Sequence, residues 1–132
     1  MDVEKVVAQV KKAIPDLIAL YRFGSYAKGD ARPESDVDLA ILVLAALPAG
    51  KLLNLQQELA TLFHNDVDLV DLRAASTVLR MQVLATGERL FSGNDGAREA
   101  FETMVYSSYA RLNEERRGIL EDVRARGSVY AG

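Results

Sequence analysis

Hydrophobic residues along this chain form two kinds of pattern, a helical repeat and short continuous runs. Near the start they fall at steps of three and four residues, which predicts an amphipathic helix that begins after Asp2 and ends at Pro15. Two apolar runs follow, at residues 17–23 and 36–44, and their composition predicts buried strands. A Gly-Ser pair closes the first run and an Asp-Val-Asp opens the second, with a loop or short helix predicted over residues 26–35.

The second half of the chain predicts three more helices and another strand. A helix ends near His64, a strand covers residues 67–72, a helix covers 74–86, and residues 88–91 are a short extended piece. Asn94-Asp95-Gly96 opens the final helix, whose apolar positions are Phe101, Met104, Val105, Tyr109, Leu112, Ile119, Leu120 and Val123.

This order of elements favours an α/β (α+β) domain in which helices cover a small sheet on one side. We expect a core over residues 1–93 and a C-terminal helical extension of the same domain over residues 94–132. The final helix is long enough to run past the core, and its length suits a docking surface.

Composition narrows the class of function. The chain has 132 residues, a formal net charge of −3 and no cysteine, which excludes disulfide and thiolate chemistry. We expect no direct DNA binding, because a nucleic-acid grip usually needs a basic face. The chain shows no basic-then-apolar leader and no apolar run long enough for a membrane, so we expect a cytoplasmic protein.

Asp36 and Asp38 are the first candidates for chemistry. Side chains alternate along a strand, so both carboxylates point the same way while Val37 points into the core. Two carboxylates on one face repel each other, and they need a cation or solvent between them. Mg²⁺ prefers oxygen ligands and usually takes one or two carboxylates plus substrate phosphates.

The Gly24-Ser25 turn supplies what a triphosphate needs. Glycine lets the backbone approach closely, and successive N–H groups with the serine hydroxyl can donate to phosphate oxygens. Lys28 and Arg32 follow closely enough to neutralise phosphate charge.

A third carboxylate is available in the run NDVDLVDL. Asp66 and Asp68 share one face of the predicted strand, and Asp71 falls on the other. If this strand pairs beside residues 36–44, Asp68 completes a cluster of three acids. Such a cluster would bind a second metal ion and accept the proton of an attacking hydroxyl during phosphoryl transfer.

The spacing of this motif, in which ten residues separate Gly24-Ser25 from Asp36-Val37-Asp38, resembles the signature of the DNA polymerase β-type nucleotidyltransferase superfamily. The short, single-domain chain resembles the minimal nucleotidyltransferase (MNT) group of that superfamily. The segments FGSYAKG, SDVDLAIL, DVDLVDLRAASTVLRMQV and NEERRGILEDV resemble MntA-type antitoxins of the HepT/MntA (HEPN/MNT) toxin–antitoxin modules.

This resemblance implies a specific activity and a polymerase β-like fold. Such antitoxins use ATP and Mg²⁺, expected here as two ions, to transfer AMP to a tyrosine hydroxyl of a HEPN-fold toxin ribonuclease, with which they form a hetero-oligomer. Carried over to this chain, Gly24 and Ser25 hold phosphates, Asp36 and Asp38 bind metal, and Asp68 is the third acid and the base. Lys28 stands where many members have arginine, so it keeps the charge without the bidentate geometry.

Two alternatives stay open at this point. One is a nucleotidyltransferase for a small molecule such as an aminoglycoside, although the chain has little spare length to hold such an acceptor. The other is an antitoxin that neutralises by binding alone, with the last helix as the docking element. His64, the only histidine, is interpreted as a helix C-terminal residue rather than a catalytic one.

Overall fold

The computed structural model describes residues 2–24 and 36–125, and within them the chain forms four helices and four strands. Every element predicted from hydrophobic periodicity within those ranges is present, with ends that differ by a few residues. In chain order they are α1 (Val3–Ala13), β1 (Ala19–Phe23), β2 (Val37–Leu42), α2 (Ala49–Phe63), β3 (Val67–Asp71), α3 (Thr77–Thr86), β4 (Glu88–Ser92) and α4 (Asp95–Ala125).

The four strands form one mixed sheet in the order β3-β2-β1-β4. β1 pairs antiparallel with both β2 and β4, whereas β2 and β3 run parallel. The two central strands are almost fully buried, as their continuous apolar runs predict. The short extended piece at residues 88–91 is an edge strand of this sheet.

Helices cover both faces of the sheet, so the expectation of a sheet covered on one side is wrong. Alternate residues of β2 enter two separate apolar clusters: Leu39 and Ile41 pack with α1 and α2, and Ala40 and Leu42 pack with α3 and α4. A central strand whose two faces are both apolar needs a helical layer on each side to exclude water.

Local side-chain chemistry sets the helix ends. The Asp2 carboxylate accepts hydrogen bonds from the backbone N–H groups of Glu4 and Lys5, as expected of an N-cap. Ser76 caps α3 in the same way by accepting from the N–H of Leu79. α2 ends at His64, an exposed residue in the left-handed conformation with φ of 51°, and the predicted position of this histidine is confirmed.

α4 contributes to the core only near its beginning. Its buried residues are Arg98, Phe101 and Val105. The apolar residues Met104, Ile119 and Leu120 are exposed, which confirms that the helix runs past the core. No helix within the described residues is long and apolar enough to cross a membrane.

Candidate active site

Asp38 and Asp68 lie side by side at one end of the sheet. They are register partners on the neighbouring parallel strands β2 and β3, and such strands are about 4.8 Å apart. Val37 and Val67, the residues just before them, are buried on the opposite face and hold both strand ends against α1 and α2. The predicted pairing that brings Asp68 beside the Asp-Val-Asp segment is therefore confirmed.

Three acids act on one another at this end of the sheet. Asp36 is exposed and directly precedes β2, while Asp38 is half-buried. Partial burial raises the pKa of Asp38, and the negative charges of Asp68 and Asp36 raise it further. Among the described residues, every influence on the Asp38 carboxyl disfavours its charged form, so the cluster favours a cation or a proton.

Gly24 brings the chain directly over Asp38. Its φ is +74°, a left-handed conformation that side chains other than glycine rarely adopt. A Cβ atom at this position would overlap the Oδ2 atom of Asp38. The turn after β1 therefore needs glycine both for its backbone conformation and for its contact with a site carboxylate.

The remaining residues of the predicted phosphate turn, Ser25, Lys28 and Arg32, lie outside the described residues, as does the segment 26–35. Their role in binding phosphate stays a prediction. Among the predicted site residues, the structure brings together Gly24, Asp36, Asp38 and Asp68.

Asp71 faces the other way and has a structural role. It is buried, and its carboxylate accepts hydrogen bonds from the backbone N–H groups of Leu47 at 2.8 Å and Arg73 at 2.9 Å. The bond from Leu47 connects the segment between β2 and α2 to the end of β3, away from the acid cluster. The predicted opposite orientation of Asp68 and Asp71 is confirmed.

A buried polar network near the site was not foreseen from the sequence. On the sheet face covered by α4, the Tyr21 hydroxyl donates to Glu102 at 2.9 Å, and Arg98 donates to the same carboxylate at 3.0 Å. Arg98 also donates through Nε to the Ser92 hydroxyl at 3.0 Å. The spacing of Arg98 and Glu102, four residues apart on one helix, was the available sequence signal.

Two of the acids have the chemistry of a magnesium site. Within the described residues, no three His, Cys, Asp or Glu side chains lie close enough together to hold a metal ion. Mg²⁺ usually binds through one or two carboxylates and completes its shell with water and substrate phosphates. The Asp38 carboxylate, whose pKa is raised by burial and by the neighbouring charges of Asp68 and Asp36, fits that requirement, and a three-carboxylate site stays a prediction.

Comparison with known proteins agrees with this geometry. The family "Polymerase beta, Nucleotidyltransferase" matches residues 4–96. Protein adenylyltransferase MntA of Shewanella oneidensis is 39% identical over 127 residues, which cover 96% of this chain and 91% of MntA.

Solved structures of toxin–antitoxin complexes are similar along nearly the whole chain. A chain of a toxin–antitoxin crystallised with AMP-PNP has a TM-score of 0.83 and 39% identity, covering 94% of this chain and 99% of that one. A chain of the tri-AMPylated S. oneidensis HEPN toxin in complex with MNT antitoxin has a TM-score of 0.75 and 38% identity, covering 92% and 95%. With the site geometry, the family match and these similarities, the chain belongs to the polymerase beta nucleotidyltransferase family.

Proposed function

We propose that this protein is an antitoxin that transfers AMP from ATP to a tyrosine hydroxyl of a HEPN-family toxin and thereby silences it. The observation that carries the proposal is the pairing of Asp38 with Asp68 directly beside the Gly24 turn. Similarity to a protein adenylyltransferase along 96% of the chain supports a protein as the acceptor. The relative crystallised with AMP-PNP, an ATP analogue, supports ATP as the nucleotide.

Each residue of the site has a distinct proposed task. Gly24 and Ser25 hold the triphosphate through backbone N–H groups and a hydroxyl, and Lys28 and Arg32 neutralise its charge. Asp36 and Asp38 hold Mg²⁺, with Asp68 completing the site when a second ion binds. The meeting of Gly24 and the acids at the same end of the sheet supports this division.

The reaction exchanges a phosphoanhydride bond of ATP for a phosphoester bond to the acceptor. The acceptor hydroxyl oxygen bonds to the α-phosphorus of ATP, and the bond from that phosphorus to the β-phosphate bridging oxygen breaks. Pyrophosphate leaves, and the hydroxyl proton passes to the carboxylate of Asp68, which is exposed and free to meet a protein surface. When bound, Mg²⁺ supplies charge stabilisation for the phosphate oxygens.

A binding-only antitoxin and a small-molecule nucleotidyltransferase are the alternatives. An antitoxin that acts by binding alone has no need of the acid pair, so its neutralisation survives the loss of either carboxylate. A small-molecule enzyme labels its acceptor without any protein partner. The similarity to toxin–antitoxin chains over more than nine-tenths of this chain favours a protein acceptor.

Mass spectrometry of the HEPN-family partner after incubation with ATP and Mg²⁺ tests the proposal. We expect the partner to gain mass in whole AMP units. Asp36→Asn and Asp38→Asn should each reduce labelling by at least about 100-fold, because each removes a charge that binds the metal–nucleotide. Asp16→Asn, which changes an exposed acid in the turn after α1, is the matched control and should label normally.

The outcomes separate protein adenylylation from neutralisation by binding alone, and they test the assigned site. Unlabelled partner that is still neutralised by wild-type protein supports binding alone and overturns the proposal. Normal labelling by Asp38→Asn leaves transfer intact but overturns the assigned site. Circular dichroism of each variant checks that the domain is folded.

A further inference from the structure

α4 is much longer than the sheet that it packs against. Its 31 residues span about 46 Å at 1.5 Å per residue, whereas strands of five or six residues span about 17–20 Å. Its buried residues all lie between Arg98 and Val105. Residues 106–125, called here the α4 extension, cover about 30 Å and contain no buried side chain.

The α4 extension projects from the end of the sheet that carries the acids. Arg98 contacts Ser92, which pairs with Ala19 at the far end of β1. One turn later, Glu102 contacts Tyr21 in the middle of β1. β1 then ends at Phe23, the register partner of Asp38. α4 therefore runs from the far end towards the acid cluster, and its extension continues past it.

An apolar stripe continues along the α4 extension beyond the core. At 100° per residue, five apolar side chains after Val105 fall within about 60° of its direction, whereas Tyr106 and Ala110 point away from it. Ile119 and Leu120 are 65% and 59% exposed. Arg116 is the charged residue in line with them. The members of the stripe are Tyr109, Leu112, Ile119, Leu120 and Val123.

Charges on the α4 extension are balanced, which favours a protein surface over a nucleic acid or a membrane. Residues 106–125 contain four arginines and four acids: Arg111, Arg116, Arg117, Arg124, Glu114, Glu115, Glu121 and Asp122. An apolar stripe bordered by both signs of charge is typical of a helix that packs against another helix. Helices of this length derive most of their stability from such packing.

The α4 extension also lies outside the part of the chain that matches the nucleotidyltransferase family. The match ends at residue 96, and α4 begins at Asp95. MntA of S. oneidensis nevertheless aligns over 96% of this chain, and toxin–antitoxin chains align over 92–94%. The extension is therefore shared with relatives that act on, or are bound to, another protein.

We propose that the α4 extension is the docking surface for the protein acceptor. Its apolar stripe, centred on Ile119 and Leu120, packs against a helical face of the HEPN-family partner and holds the acceptor hydroxyl next to Asp38 and Asp68. The identity of the occupant rests on the proposed function. The location of the surface rests on the direction, exposure and stripe of α4.

Substitution of the stripe tests the docking surface. Ile119→Glu combined with Leu120→Glu places a good helix former at each of two exposed positions, so the fold should be retained. We expect its Kd for the HEPN-family partner, measured by calorimetry, to rise by at least about 30-fold. The KM for the partner in AMP transfer should rise with it, while kcat at saturating partner stays within about twofold.

Two matched variants show whether the effect is specific. Leu53→Glu combined with Leu62→Glu introduces the same two charges at leucines that are 51% and 43% exposed on α2, against the opposite face of the sheet, and it should leave Kd and KM unchanged. Asp38→Asn should show the reverse pattern, with binding retained and kcat lost.

The results distinguish failure of the docking surface from failure of the proposed function. Wild-type protein that binds the partner without adenylylating it overturns the function alone, and the Kd of the double variant still decides the docking surface. If the double variant binds and labels as wild type does, the docking surface is wrong. The surface is also wrong if the wild type does not bind the partner, or if light scattering shows a homodimer that the double variant dissociates.

Discussion

Gly24 is in contact with a carboxylate of the candidate active site, and any Cβ atom there would overlap Oδ2 of Asp38. The contact joins the Gly-Ser and Asp-x-Asp parts of the signature, which are separated by ten residues in the sequence. Because φ of Gly24 is +74°, an alanine would also be strained by its own backbone. A side chain at position 24 would therefore displace the Asp38 carboxylate.

We expect Gly24→Ala to impair both the fold and AMP transfer. It should lower the free energy of unfolding by about 1–3 kcal/mol. It should also reduce labelling of the partner by about 100-fold, because Asp38 must move. Urea denaturation and labelling rates measure the two effects.

Gly50→Ala is the matched control for the glycine at position 24. Nothing lies within 4 Å of a Cβ atom at Gly50, which is in the first turn of α2. Alanine there should leave labelling unchanged and stability unchanged or higher by up to about 1 kcal/mol. Equal stability and activity of Gly24→Ala and wild type would contradict the contact with Asp38.

The elements of this fold are predictable from periodicity because they depend on local spacing. The pairing of Asp68 with Asp38 was also predictable, since strand alternation and a covered strand leave few arrangements. The strand order and the second helical layer were not, because both depend on contacts between distant segments. The same holds for Gly24, whose φ and contact with Asp38 exist only in the folded chain.

The burial of residues along α4 could not be predicted from the sequence pattern. Its apolar positions form one continuous stripe, and periodicity cannot tell Val105, which is buried, from Ile119, which is exposed. That difference depends on where the sheet ends beneath the helix. The partners of Tyr21 were missed for a similar reason, since they are about eighty residues away along the chain.

Asp38→Asn should make the metal-free domain more stable at neutral pH. The pKa of Asp38 is higher in the folded protein than its ordinary value of 3.8, because of burial and two neighbouring acids. The folded state therefore binds more protons than the unfolded chain between those two values. Stability contributed by this group falls as pH rises through that window and stays low above it.

The measurement is thermal unfolding in EDTA across a pH series. At pH 7 we expect Tm of Asp38→Asn to exceed that of wild type by roughly 1–4 °C. This difference should shrink as pH falls towards the ordinary aspartate pKa. Asp16→Asn, at an exposed acid far from the cluster, should show no such trend. If Asp38→Asn is less stable than wild type at pH 7, repulsion among the acids does not determine how Asp38 affects stability.

Asp68 and Asp71 should respond oppositely to the same substitution. Asp71→Asn loses one of two buried hydrogen bonds to backbone N–H groups, which should cost about 1–3 kcal/mol of stability. Its labelling activity, at a temperature where it is folded, should stay within about twofold of wild type. Asp68→Asn should lose at least about 100-fold in labelling while its stability changes by less than about 0.5 kcal/mol.

These two variants are each other's control, because they lie three residues apart on one strand. Urea denaturation and partner labelling are measured on both. A fall in activity for Asp71→Asn in fully folded protein would assign it to the site, against its buried position at the other end of β3.

Arg98 should be more sensitive to a conservative change than any exposed arginine of α4. It is buried, donates to both Glu102 and Ser92, and lies 3.6 Å from Asp95 and from Glu99. Lysine keeps the charge but cannot reach several acceptors at once. We expect Arg98→Lys to lower the free energy of unfolding by about 2 kcal/mol.

Tyr21→Phe removes the other hydrogen bond to Glu102 and should cost about 1 kcal/mol. Arg111→Lys, at an exposed position on the same helix, should change stability by less than about 0.5 kcal/mol. Because Arg98 and Tyr21 share one carboxylate, the double variant should deviate from the sum of the single effects. Simple additivity in urea denaturation would mean that Glu102 does not couple α4 to β1.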